Sequence, residues 1–182
     1  IKAVAGDITE GPCAAARNTV SLYGLNDKIE VRKGNGLAII KPGEVDVIII
    51  AGMGAGTMIE ILEAEMKTAQ EARQLILQPM AGAPSLRRWA NSNGWQIEDE
   101  MLVEEGRHLY EIMVLKRGYE KAASTVAYEI GPRLFEKRPP LFKKHLAKIC
   151  GQYQKMLLNM QRSAEARQSA KYQEIQAISQ EL

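Results

Sequence analysis

The sequence predicts an α/β fold, a mostly parallel, doubly wound sheet followed by an α-helical, coiled-coil-like segment. Three observations carry this. Apolar strand-like runs alternate with amphipathic stretches up to Gly94, two extended segments then follow with only a short polar link, and past residue 118 strand character gives way to a helical repeat.

In order, Ile1 to Gly6 reads as an apolar strand ending in Asp7, and a helix is expected from about Pro12 to a stop at Gly24. Ile29 to Lys33 alternates as a strand before a Gly34-Asn35-Gly36 turn. Val45 to Ile50 is a continuous apolar run, the pattern of a parallel strand buried on both faces. It meets Gly52-Met53-Gly54-Ala55-Gly56 and then an amphipathic helix to about Lys67. Leu75 to Leu77 is a short buried strand that Gln78-Pro79 should stop, and Pro84 to Asn93 is a helix ended by Gly94. Gln96 to Val103 and Leu109 to Lys116 are expected to form an antiparallel hairpin at the sheet edge. In the tail, Phe142, Leu146, Ile149, Tyr153, Met156 and Met160 are spaced 4, 3, 4, 3 and 4 residues apart, a coiled-coil seam. Tyr172, Ile175 and Leu182 then point to a second helix folding back, with one unbroken helix as the alternative. The expected division is an α/β domain over 1–118 and a helical domain over 119–182.

The chain has 182 residues, 46% hydrophobic and 25% charged, the composition of a folded globular protein. Cys13 and Cys150 are far apart and form no Cys-x-x-Cys pair, so neither a disulfide framework nor a zinc site is expected, and a reducing, cytoplasmic setting fits. No apolar run approaches the ~20 residues that span a bilayer, so no membrane role is expected. Charge is uneven. Residues 1–118 carry 13 Lys and Arg against 16 Asp and Glu, whereas residues 119–182 carry 11 against 6. Arg133, Lys137, Arg138, Lys143, Lys144 and Lys148 are opposed locally only by Glu136, a concentration that suits a phosphate-facing surface as well as a solvated helix face.

Asp7, closing the first strand, sits where α/β nucleotide-binding proteins hydrogen-bond a ribose diol, though a helix-capping aspartate reads the same way. Asn35, in a glycine-flanked turn, can meet an adenine edge, since an amide both accepts and donates; turn chemistry alone also explains it. The Gly52 to Gly56 run lies at the carboxyl end of a buried strand, where ligands collect in open sheets. A dinucleotide fingerprint would need glycine at the position of Thr57 and an acidic residue closing the next strand, which ends in Gln78-Pro79, so a dehydrogenase is disfavoured. His108 and His145 are the only histidines and show no zinc-ligand spacing, and no Gly-x-Ser-x-Gly elbow occurs, so neither metal catalysis nor serine hydrolysis is expected. Trp89 and Trp95 are expected to pack a helix onto the sheet.

Together, Ala5-Gly6-Asp7 with Glu10-Gly11-Pro12, Gly34-Asn35-Gly36-Leu37, Ala51-Gly52-Met53-Gly54, Leu77-Gln78-Pro79 and Tyr110-Glu111-Ile112 resemble the bacterial tRNA (adenine-N1)-methyltransferase family acting on adenine 22. The likeness implies a Rossmann-like class I methyltransferase sheet with a C-terminal helical, coiled-coil-like domain. It implies S-adenosyl-L-methionine as cofactor, held by Asp7, Ile8, Gly34, Asn35, Gly36 and Ala51. It places Gly52, Met53 and Gly54 at the methyl-transfer site, with Gln78, Pro79, Tyr110 and Glu111 bordering the substrate pocket. tRNA is the implied partner, docked on the basic tail. Two departures stand out: Asn35 replaces an expected Asp, and Ala55 an expected glycine. The family's glycine-rich first motif and first strand are expected just before Ile1, so that the remaining strands would pair around a gap. The alternatives are a methyltransferase of the same class acting on another RNA or on protein, and a non-catalytic nucleotide- or RNA-binding module.

Overall fold

The computed structural model describes residues 2–182; Ile1, expected to open the first strand, lies outside them. Strand β1 (Ala3–Asp7) runs parallel to β2 (Ile29–Lys33), with Ala3 opposite Ile29 and Asp7 opposite Lys33. Helix α1 (Glu10–Leu22) connects them. It starts at Glu10 rather than Pro12, because Thr9 is the extended N-cap and the first helical turn has no intrahelical use for the N–H that proline lacks.

The second sheet holds β3 (Val47–Gly54), β4 (Gln74–Ala81), β5 (Trp95–Glu105) and β6 (His108–Arg117), in the order β3-β4-β6-β5. Helices α2 (Ala55–Ala64) and α3 (Met66–Glu71) join β3 to its parallel neighbour β4, and α4 (Ala83–Ser92) leads into β5. The hairpin β5–β6 is antiparallel as expected; β6 inserts beside β4 and β5 forms the edge.

Two expectations about strand ends are corrected. The Gly52-Met53-Gly54 run is the end of β3 rather than a loop, and Gln78-Pro79 lies within β4 rather than stopping it. Register shifts on either side of the Met53–Pro79 pair explain both, since a bulge relieves the ladder of the N–H that proline cannot supply. Gly52 takes φ 76°, a left-handed conformation that favours glycine.

The two sheets are not hydrogen-bonded to each other. β1 and β3 flank a groove of about 360 Å³, and Ile49 on β3 is 68% exposed. The main core lies around the four-stranded sheet, where Met58, Leu62, Leu75, Leu77, Leu86, Trp95, Met113 and Leu115 are fully buried. Trp89 and Trp95 both join it.

From Thr125 onward the described chain is helical: α5 (Thr125–Ile130), α6 (Pro132–Lys137), α7 (Phe142–Met160), α8 (Ala164–Arg167) and α9 (Ala170–Glu181). The chain folds back, so that Ile149 and Tyr153 of α7 meet Ile175 and Ile178 of α9. The unbroken-helix alternative is not adopted. Ser163 and Ser169 stand at the two breaks, their Oγ atoms accepting from the N–H groups of Ala166 and Tyr172. The seam is partly as read: Phe142, Ile149 and Tyr153 are buried, but fully buried His145 joins the stripe and Met156 is 41% exposed. A second cluster of Ile130, Leu134 and Phe142 packs against Leu102 of β5, joining tail to sheet. No helix among the described residues is long and apolar enough to cross a membrane.

Candidate active site

The carboxyl ends of β1, β2 and β3 converge on a pocket of about 550 Å³. Asp7, Ile8, Gly34, Asn35, Gly36 and Met53 all line it. Asp7 is placed by the end of β1, and Thr9 orients it, donating from both its N–H (2.8 Å) and its hydroxyl (2.7 Å) to Oδ1. These two bonds, the hydroxyl's first, lower the Asp7 pKa below the ordinary aspartate value. They leave Oδ2 with no hydrogen-bond partner among the described residues. Asn35 caps the 3₁₀ turn Gly36–Ile39 through its backbone, and its side-chain amide makes no cap bond.

The glycines around Asn35 are needed for the close approach. A Cβ on Gly34 would lie 2.5 Å from Ile39 Cγ2, and one on Gly36, at φ 52°, would lie 2.9 Å from Ile61 Cγ2. Ala51 lines the neighbouring groove between the sheets, together with Asp7, Gly36 and Met53. The six residues expected to hold a cofactor are thus gathered at one edge.

A larger cleft of about 710 Å³ opens on the other side of the β3–β4 end, between the sheet and the tail. Pro79, Tyr110 and Glu111 line it, faced by Lys144, Lys148 and Tyr153 of α7. Gly52, Gly54 and Gln78, next to Met53 and Pro79 at the ends of β3 and β4, are among the lining residues of neither space. The Gln78 Oε1 atom accepts from the Gly52 N–H at 2.9 Å, which pins the left-handed turn beside Met53. Met53 and Pro79 are register partners, so the strand-end pocket and the cleft meet at one pair of backbone positions.

The expected RNA-facing cations divide into two sets. Arg133 donates to Glu120, Glu136 and the Ile97 carbonyl, Lys137 pairs with Asp99, Lys144 pairs with Glu104, and Lys148 donates to the Leu109 carbonyl. These four join the tail to the sheet or to the link before α5. Lys143 is exposed and has no ion pair among the described residues, and Arg138 lies over the Phe135 ring at 5.5 Å.

Sequence reasoning missed a buried charge cluster. Arg87 of α4 is fully buried and donates from Nε to Glu100 (2.7 Å), from Nη2 to Glu111 (2.6 Å) and from Nη1 to the Tyr128 carbonyl (2.8 Å). Burial works against its charge, but the two carboxylates outweigh it and raise the pKa. The signal was spacing, because Arg87 falls with Ala83, Leu86 and Ala90 on the core face of α4. Among the described residues no group of three or more His, Cys, Asp or Glu is arranged to hold a metal ion.

Parallel strands whose carboxyl ends gather an acidic residue and two glycine turns around one pocket define a Rossmann-like nucleotide-binding protein. The chain belongs to the tRNA (adenine(22)-N(1))-methyltransferase family, whose sequence model matches residues 1–181. It is 37% identical over 147 residues to the tRNA (adenine(22)-N(1))-methyltransferase of Bacillus subtilis (strain 168), a match covering 78% of this chain and 62% of that protein. The crystal structure of the B. subtilis m1A22 tRNA methyltransferase superposes with a TM-score of 0.86 at 31% identity, covering 98% of this chain and 79% of that one. A Streptococcus pneumoniae structure in complex with S-adenosyl-L-methionine superposes with a TM-score of 0.78 at 34% identity, covering 98% and 81%.

Proposed function

We propose that the protein transfers a methyl group from S-adenosyl-L-methionine to N1 of adenine 22 in tRNA, in the cytoplasm. The observation that carries this reading is the Met53–Pro79 pair, which joins a nucleotide-sized pocket to a cleft faced by cationic side chains. Family membership supplies the identity of the base.

The residues of the pocket fit the cofactor. Asp7 offers Oδ2 to a ribose diol while Thr9 occupies Oδ1, Asn35 offers an unengaged amide to an adenine edge, and Gly34 and Gly36 let the Asn35 turn close against Ile39 and Ile61 at the pocket wall. When bound, S-adenosyl-L-methionine supplies an electrophilic methyl group. Adenine N1 has an in-plane lone pair, so no base need remove a proton before transfer. The protein's work is therefore positioning, worth up to about 7–11 kcal/mol when the geometry is good. Gln78 holds the Gly52 turn, and the turn sets Met53 against Pro79. The target base has to leave the tRNA stack and enter the cleft, a cost of about a few kcal/mol offset by interactions there. Tyr110, stacked on His108 with ring centroids 6.0 Å apart, offers an aromatic face beside that entrance. The exposure of Lys143 and Arg138 supports phosphate contacts by these two cations.

The test is transfer of labelled methyl from S-adenosyl-L-methionine to tRNA transcripts carrying A or G at position 22. Label on the A22 transcript alone supports the proposal. Label on both transcripts, or on neither, removes it.

A further inference from the structure

The buried cluster around Arg87 contains two carboxylates whose surroundings differ. Glu100 is complete. Its Oε1 accepts from Arg87 and its Oε2 from the Arg133 N–H at 2.9 Å, and its side chain is 1% exposed. Glu111 is not complete. Its Oε2 accepts from Arg87, but Oε1 has no partner among the described residues and is not sealed from solvent, and the side chain is 17% exposed and lines the cleft.

One guanidinium thus serves two carboxylates, and the acceptor capacity left over faces the cleft. His145 lies 4.0 Å from Glu111 through Nε2, but that nitrogen is already 2.7 Å from the Ile130 carbonyl. Glu111 follows Tyr110 on β6, two residues from Met113 of the Leu77–Met113 pair, and shares the cleft wall with Pro79 of β4. A carboxylate oxygen at such a place accepts a hydrogen bond from an N–H donor, is repelled by a carbonyl oxygen, and favours positive charge developing beside it.

Resting on the reading of the chain as an adenine-N1 methyltransferase, we infer that Glu111 Oε1 accepts from the exocyclic amino group of the target adenine and stabilises the charge that methylation places on the ring. In the transfer, the N1 lone pair forms the new N–C bond as the S–C bond breaks, and the pair of that bond remains on sulfur. The sulfonium charge disappears and the purine gains one. That charge is shared with the amino nitrogen next to N1, so the hydrogen bond to Glu111 strengthens in the transition state. An interaction stronger there than in the bound substrate raises kcat rather than merely lowering KM. Guanine would set its O6 against the carboxylate and is rejected by the same group. Glu100, fully engaged and away from the cleft, has only the structural half of this arrangement.

The experiment crosses two proteins with two substrates. Wild-type protein and Glu111→Gln are each given tRNA carrying adenine, or purine without the amino group, at the target position, and single-turnover rate, tRNA Kd and thermal midpoint are measured. Wild type should favour adenine over purine by roughly 100-fold, the effect of leaving one charged hydrogen-bond acceptor unpaired. Glu111→Gln should lose about 10- to 100-fold in rate on adenine with a smaller change in Kd, and its preference for adenine should shrink to about tenfold or less. An unchanged adenine-to-purine ratio in the variant overturns the inference. So does a Glu100→Gln variant that shifts the ratio as far as Glu111→Gln does, because the effect would then come from the cluster's structure. Equal wild-type rates on the two substrates overturn the inference without any variant. If Glu111→Gln fails to fold, Glu111→Asp, which keeps the charge but draws it back from the cleft, is measured in its place, and an unchanged adenine-to-purine ratio again overturns the inference. A wild-type protein that methylates no tRNA adenine removes the proposed function itself, a different result from active enzyme with no dependence on the amino group.

Discussion

The two polar regions of this molecule are built on opposite plans. Around β1 and β2 the pocket leaves acceptors and donors open: Asp7 keeps one oxygen unengaged and Asn35 its whole side-chain amide. Between α4, β5 and the tail, polar groups are engaged with one another, with Arg87, Glu100 and Arg133 binding sheet to helices. Open polar groups are free to take a ligand, whereas closed ones hold the chain. A count of charges cannot tell the two apart, because the tail's basic residues serve both purposes.

The largest expected effect tests the closed region. Replacing Arg87 by Met leaves Glu100 and Glu111 without their shared cation, and breaking a buried pair by removing one partner costs about 3–5 kcal/mol. Urea unfolding of the Arg87→Met protein should show a loss of that size. A loss below about 1 kcal/mol, the range of exposed pairs, would show that the cluster does not hold the two parts together. In the open region Asp7→Ala should behave in the reverse way. S-adenosyl-L-methionine affinity, measured by calorimetry, should fall about 10- to 100-fold, the usual effect of removing a hydrogen-bond acceptor from a ligand, while the thermal midpoint stays close to wild type. Unchanged affinity would take Asp7 out of the site.

Particular residues show where the sequence was legible. The alternation of strand and helix, the hairpin and the fold-back of the tail follow from hydrophobic period, and that period is imposed by burial. The ends of β3 and β4 were misjudged. Gly52 and Pro79 look like breakers in isolation, and only the pairing of two strands through a bulge makes room for them. The residues that gather at the strand-end pocket were legible because strand ends and glycine turns are local features. The Arg87 cluster was not, for its members come from α4, β5 and β6 and meet only after folding. Arg133 and Lys137 were read as phosphate-facing for the same reason, since nothing in a helical repeat says that Glu120 and Asp99 will be opposite.

A smaller effect concerns pH at this interface. The ammonium of Lys137 first, and then the N–H of Glu100, lower the Asp99 pKa below its ordinary value of 3.8, against the opposing effect of partial burial. A carboxylate with a depressed folded-state pKa contributes stability that is present above the unfolded value and lost as pH falls through the folded one. The link between α6 and β5 should therefore be intact at pH 5 and above and loosen below 3.8. Lys137→Met should remove this part of the acid dependence, seen as a smaller difference between the unfolding midpoints of wild type and variant at low pH than at pH 7. A difference that is the same at both pH values would rule out the pair as its source.

The smallest expected change in stability, and the sharpest test of the comparison, comes from separating the tail's cations. Lys143 and Arg138 form no ion pair among the described residues, whereas Arg133 donates to two carboxylates and a carbonyl. Lys143→Gln with Arg138→Gln should leave the unfolding free energy within about 0.5 kcal/mol, as exposed charge changes usually do. If these two residues meet tRNA phosphates, the log–log salt dependence of binding should flatten by somewhat under one unit for each phosphate no longer neutralised, and affinity at low salt should fall. Arg133→Gln should do the reverse, lowering stability by about 1–3 kcal/mol because partners at the interface are left unsatisfied, with little change in the salt slope. tRNA binding by filter retention at several salt concentrations, beside urea unfolding, reads both quantities on each protein. Were Arg133→Gln to flatten the slope and the double variant not, the paired residues would be the ones that meet RNA, and the division between open and closed polar groups would fail in the tail.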